Sequence, residues 1–194
     1  MTRFIFICMA LTGALATPAL AHTGVGQTSS FASGFAHPLY GVDHMVVMAG
    51  VGLLALLAGR RSVWVWPMAF VAAMLAGFAA ANLGLEIPFV EPAIASSIIA
   101  AGLFVALAVK APIGLGAATS ALFAFFHGHA HGTEVTPGSL IPYAAGFVLA
   151  TAGLHAAGIG LGLLAGRPIG RIALRAMGGL VALGGIAWMA GGLT

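Results

Sequence analysis

Six long apolar runs dominate the chain, and short polar or glycine- and proline-bearing breaks separate them. They cover about residues 39–58, 63–83, 92–109, 113–127 (with a continuation to 131), 141–165 and 172–192. A helix needs roughly 20 apolar residues to cross about 30 Å of hydrocarbon. Each run is therefore expected to be one membrane-spanning helix, giving an all-α integral membrane protein with six spans. The breaks also carry an alternating charge pattern. Arg60 and Arg61, then Lys110, then Arg167, Arg171 and Arg175 occupy every second break, and Glu86, Glu91 and Glu134 occupy the others. Trp64 and Trp66 open the second run as interface anchors.

Composition agrees with this pattern. The 194 residues are 61% hydrophobic and only 6% charged, against roughly a quarter charged in soluble domains. The 29 glycines suit helices that pack closely in lipid, where small residues let backbones approach. The net charge of +3 is spread over loop ends and does not point to nucleic acid. Before the first span, residues 1–21 carry Arg3, an apolar stretch and the small-x-small end Ala19-Leu20-Ala21, the layout of a cleavable signal peptide. Cleavage would leave His22 at the mature N-terminus, where its α-amine and imidazole can chelate a metal together. Residues 22–36 read as an extracytoplasmic lead-in, flexible through its Gly/Ser/Thr-rich part, and residues 37–194 as the transmembrane domain. Cys8 lies in the signal segment, so the mature chain is expected to offer neither a disulfide nor a thiolate site. The positive-inside rule makes the basic loops cytoplasmic and the mature N-terminus periplasmic.

Two stretches break the apolar pattern with chemistry. His37-Pro38-Leu39-Tyr40-Gly41-Val42-Asp43-His44 stands at the mouth of the first span. Phe126-His127-Gly128-His129-Ala130-His131-Gly132-Thr133-Glu134 follows about ninety residues later, at the end of the fourth. The topology puts both at the outer leaflet. An ionisable residue within a span is costly and is expected to face the bundle interior for function. Pro38 suits the first turn of a helix, with His37 near its cap. On one regular helix His37 and His44 would share a face but lie about 10 Å apart, too far to hold one ion together. Asp43 and His44 are then the inner ligand pair, or Asp43 orients an imidazole, and His37 serves an entry site. His127 and His131, at i and i+4, share a face; His129 points away. Gly128 and Gly132 allow irregular backbone there, which is tolerated where it lines a cavity. Glu134 can gather cations or bind directly. His155, inside the fifth span, is a core hydrogen-bonding residue or a step on a pathway. Met48 reads as packing, and Asn82, Glu86 and Glu91 as solvated loop residues. Imidazole and carboxylate without thiolate suit nickel, cobalt, zinc, copper(II) or iron.

Both motifs resemble those of the HupE/UreJ family of nickel permeases, and the likeness extends to the signal segment, the length and the six spans. The resemblance implies a secondary transporter of the bacterial inner membrane that imports nickel, or cobalt, for hydrogenase or urease. It implies weight on His37, Asp43, His44, His127, His131 and Glu134 as metal-handling residues. His129 occupies a variable position of the motif, and it stands behind them with His22 and His155. No tightly bound cofactor is implied; the metal is the cargo. No nucleotide-binding loop is present, so uphill transport would draw on an ion gradient or a partner. A homo-oligomer is left open. Rival readings are a permease for another metal, a membrane protein that binds metal or haem through its histidines without transport, and an intramembrane metalloenzyme. H-E-x-x-H and G-x-S-x-G elements are both missing, so the chain is not read as an enzyme.

Overall fold

The computed structural model describes residues 30–135, 139–166 and 168–191. The expected signal segment, His22 and Arg167 lie outside the described residues. Among the described residues the chain is helical, with no strand. The helices are α1 (Phe31–Tyr40), α2 (Val42–Ala58), α3 (Ser62–Asn82), α4 (Val90–Ala106), α5 (Ile113–Glu134), α6 (Leu140–Leu164) and α7 (Pro168–Gly191).

The first span departs from expectation. Residues 31–36, expected in the lead-in, belong to a helix. Ser30 and Ser33 build a reciprocal cap in which Ser33 N donates to Ser30 Oγ (3.1 Å) and Ser30 N donates to Ser33 Oγ (2.8 Å). That satisfies backbone donors a helix start would otherwise leave open. Pro38 therefore lies inside α1, near its end, and not at the start of a span. It has no N–H to offer the Gly34 carbonyl, which weakens the last turn. At Gly41 the backbone goes extended (φ −89°, ψ 113°), and α2 leaves at 86° to α1.

Helix packing rests on small residues. Gly77, Gly128 and Gly132 put the backbones of α3 and α5 in direct contact: a Cβ at Gly128 would strike the Met74 carbonyl, and one at Gly132 the Phe78 carbonyl. Trp66 meets Gly116 at the other end of this pair, so α3 and α5 run parallel. Gly102 and Gly178 bring α4 and α7 together, and Gly52 and Gly158 do so for α2 and α6. α5 continues as a regular helix to Glu134. The irregular backbone that Gly128 and Gly132 would allow is not formed; those glycines serve close packing instead.

Helices α3, α6 and α7 are each long and apolar enough to cross a membrane. α1 and α2 reach that length and apolarity only as a bent pair. α4 has 17 residues, about 25 Å of rise, and α5 spends its last turns on histidines and Glu134. The Trp66 indole donates to the Ile113 carbonyl (2.9 Å) and Arg175 Nε to the Ala106 carbonyl (2.7 Å). These bonds tie together the end that carries Arg60, Arg61, Lys110, Arg171 and Arg175. Glu86, Glu91 and Glu134 lie at the other end. Phe70, Met74, Ile94, Phe147 and Met48 are fully buried in the core, Met48 as a packing residue.

Gly128→Ala is expected to force α3 and α5 apart at about 1–3 kcal/mol, lowering the apparent melting midpoint in detergent by roughly 2–12 °C. Gly153→Ala, where an added Cβ meets open space, should leave the midpoint unchanged within about 1 °C or raise it slightly. Equal midpoints for the two variants would contradict the close contact.

Candidate metal centre

Three elements converge at the end of the bundle that carries the acidic residues. α5 presents His127, His131 and Glu134 on one face because they recur at i, i+4 and i+7 of a regular helix. α2 presents Asp43 and His44 in its first turn. α1 lays His37 over both. The side chains form a descending line. Glu134 Oε2 is 3.4 Å from His37 Nε2, and these two side chains are 29% and 20% exposed. The His37 ring is 4.5 Å from the His131 ring, centre to centre. His131 Nε2 lies 2.6 Å from His44 Nε2. The His44 ring is 4.8 Å from the His127 ring, and His127 Nε2 is 3.0 Å from Ser97 Oγ. His44, His127 and His131 are fully buried.

His37 is therefore not remote from the inner ligands. Its ring is 6.3 Å from that of His44, and His131 bridges them. The regular helix assumed for residues 37–44 is broken at Gly41, and the break folds α1 back over the site. One donor atom each from His37, His131 and Glu134 already lies within 4.8 Å of the others.

Asp43 Oδ2 is 2.9 Å from His44 Nδ1. This is a close ion-pair contact outside hydrogen-bond geometry, and the Nε2 side of the same ring faces His131. Two lone pairs cannot face each other at 2.6 Å, so one of these nitrogens carries a proton toward the other; a metal ion, with bonds to nitrogen of about 2.0–2.1 Å, would need the two rings to move apart. Asp43 itself is 4% exposed, and its Oδ1 has no hydrogen-bond partner among the described residues. Its place in the first turn of α2 sets it against the positive end of the helix dipole, which offsets part of the cost of a buried anion. Gly41 makes room for the pair, since a Cβ there would lie 2.7 Å from Asp43 Oδ1 and 2.8 Å from His44 Nδ1.

A family model described as HupE / UreJ protein matches residues 9–188. The chain belongs to the HupE / UreJ protein family. It is 41% identical over 180 residues to "Protein HupE" of Rhizobium leguminosarum bv. viciae, covering 92% of this chain and 94% of that protein. No solved structure matches it.

In this HupE/UreJ chain the remaining histidines take other places. His129 points away from the line, and its Nε2 donates to the Leu85 carbonyl at 2.8 Å, tying α5 to the α3–α4 connection. His155 is 2% exposed and packs edge-on against Phe70, 5.1 Å between ring centres. Phe70 stands between it and His127, so the structure does not bring His155 into the line. Its ring nitrogens have no hydrogen-bond partner among the described residues. Three neighbours of the line are absent from the expected set. Ser97 holds His127, Phe147 packs 4.3 Å from His131, and Tyr143 stands 6.3 Å from His37, its buried hydroxyl without a hydrogen-bond partner among the described residues. The Ser96-Ser97 pair inside an apolar run was a readable signal; for Tyr143 and Phe147 there was none.

His129→Ala removes one part-buried hydrogen bond and should cost about 0.5–1.5 kcal/mol, read as a lowered melting midpoint. Gly41→Ala should cost about 1–3 kcal/mol by crowding the Asp43–His44 pair. An unshifted midpoint for Gly41→Ala would contradict the tight seating of that pair.

Proposed function

We propose that this HupE/UreJ protein is a secondary transporter that imports a divalent transition-metal cation across the bacterial inner membrane. Nickel is the first candidate and cobalt the second, and the recipient is hydrogenase or urease. The observation that carries this reading is the line from partly exposed Glu134 and His37 to buried His44, His127 and His131, with Asp43 beside it. Nitrogen and oxygen donors without thiolate suit these metals. A stack of donors spaced along one axis suits passage better than storage, because no position closes a complete cage of its own.

On this reading the bent α1–α2 pair is the first of six spans, α4 and α5 complete the set, and a cleaved signal peptide precedes them. The basic end faces the cytoplasm and the mature N-terminus the periplasm, in keeping with the positive-inside rule. Glu134 and His37 capture the cation with His131. His131 then shares it with His44, which Asp43 accompanies, and His127 receives it. Imidazoles bind metal only when neutral, so the entering ion displaces protons. Capture therefore weakens as the pH falls and protons compete with the cation for the same nitrogens. Broken helices that end at a buried site recur in secondary transporters, where they turn helix dipoles toward ions. The site calls for no chemical transformation of the ion, which favours a permease over an enzyme.

Uptake of radiolabelled nickel into cells with and without the protein tests this directly, with cobalt and zinc as competitors. The protein should raise nickel accumulation severalfold. His44→Ala, Asp43→Ala and His131→Ala should each lower it to background with membrane levels unchanged, whereas His129→Ala should keep most of it. Wild-type accumulation in the first three variants would overturn the assignment.

A further inference from the structure

Ser97 stands on α4 and belongs to neither motif, yet it makes the deepest polar contact of the line. It is 1% exposed. Its hydroxyl lies 2.6 Å from the Ile94 carbonyl and 3.0 Å from His127 Nε2. A serine hydroxyl has one proton to give. The Ile94 carbonyl is an acceptor only, and two oxygens at 2.6 Å without a proton between them would repel. The proton therefore goes to Ile94, and Ser97 Oγ can only accept from His127. A separation of 3.0 Å is ordinary for N–H···O.

This contact decides which nitrogen of His127 can bind a cation. A neutral imidazole carries one N–H and one lone pair. With the N–H on Nε2 the lone pair is on Nδ1. A hydrogen-bond partner on the far nitrogen sets the tautomer and orientation of a ligand histidine, and losing that partner typically costs about 10–100-fold in affinity or activity.

The placement of Ser97 gives the contact a direction. A cavity of about 290 Å³ has Ser97 and Phe70 in its wall and extends past Thr119 and Ser120 to Trp66 and Leu115. Trp66 lies at the basic end, held to Ile113. The cavity lies on the side of Ser97 away from the outer histidines; apart from the hydroxyls of Ser97, Thr119 and Ser120 its lining is apolar, so it marks the inward side of His127 without supplying ligands.

We propose that Ser97 is a positioning residue that holds His127 as the Nε2–H tautomer, so that Nδ1 is the ligand nitrogen at which a divalent cation is handed on from the inner end of the histidine line. The handover role rests on the transport reading above; the tautomer does not.

Two measurements separate the two. Solid-state NMR of the metal-free, 15N-histidine-labelled full chain in bilayers, above the imidazole titration range, reads the tautomer. The His127 signals are assigned by their loss in His127→Gln. The wild type should show a protonated Nε2 and an unprotonated Nδ1 at His127, Ser97→Thr should keep that pattern, and Ser97→Ala should lose it. Nickel uptake should fall about 10–100-fold in Ser97→Ala and recover in Ser97→Thr, at equal membrane levels. An Nδ1–H tautomer in the wild type, or full uptake by Ser97→Ala, overturns the proposal. A wild type that takes up no nickel overturns the transport reading and with it the handover, while the NMR pattern still decides the positioning of His127.

Discussion

The break at Gly41 is the constraint on which the rest of the site depends. A continuous helix through residues 37–44 would keep His37 about 10 Å from His44. Turning the chain by 86° does two things at once. It lays α1 back so that His37 covers His131, and it creates a helix N-terminus inside an apolar bundle. That N-terminus is where Asp43 and His44 sit. Its backbone donors and dipole add to the neighbouring His44 in offsetting the cost of a buried carboxylate. The backbone is extended at Gly41, and the residue is glycine because any side chain there would collide with Asp43 and His44.

The second constraint is how close α5 can come to α3. His127 and His131 reach the bundle centre only because Gly128 and Gly132, on the same helix, let its backbone touch that of α3. Polar and small residues thus alternate along α5 for one purpose. The glycines set the depth of the helix, and the histidines between them use it. His129, rotated out of the line, bonds Leu85 and fixes the height of the same helix. Phe70, Phe147 and Tyr143 wall the line with aromatic rings, and His44, His127 and His131 are fully buried among them.

Much of this was legible in the sequence. Apolar run lengths place all the long helices to within a few residues, and the i, i+4, i+7 spacing of His127, His131 and Glu134 gives their shared face. The opposition of His129 follows from the same period. The fate of residues 31–44 was not legible, because Pro38 and Gly41 are compatible with both a helix start and a helix break. The outcome turned on α1 packing against α6, with Gly34 on the Tyr143 backbone, a contact between residues more than a hundred positions apart. Gly128 and Gly132 were open to two readings, flexible backbone or close packing, and only the partner helix decides. Ser97 and Tyr143 enter the site from helices without a motif, so periodicity had nothing to say about them.

X-ray absorption at the nickel edge tests the shared donor line most directly, on purified protein loaded with one equivalent of nickel. The expected spectrum has nitrogen and oxygen neighbours only, with the outer-shell scattering of at least two imidazoles, and it loses imidazole scattering in His131→Ala. A sulfur neighbour from Met48 or Met74, or an imidazole signal unchanged in His131→Ala, would contradict the convergence of α1, α2 and α5 on one ion.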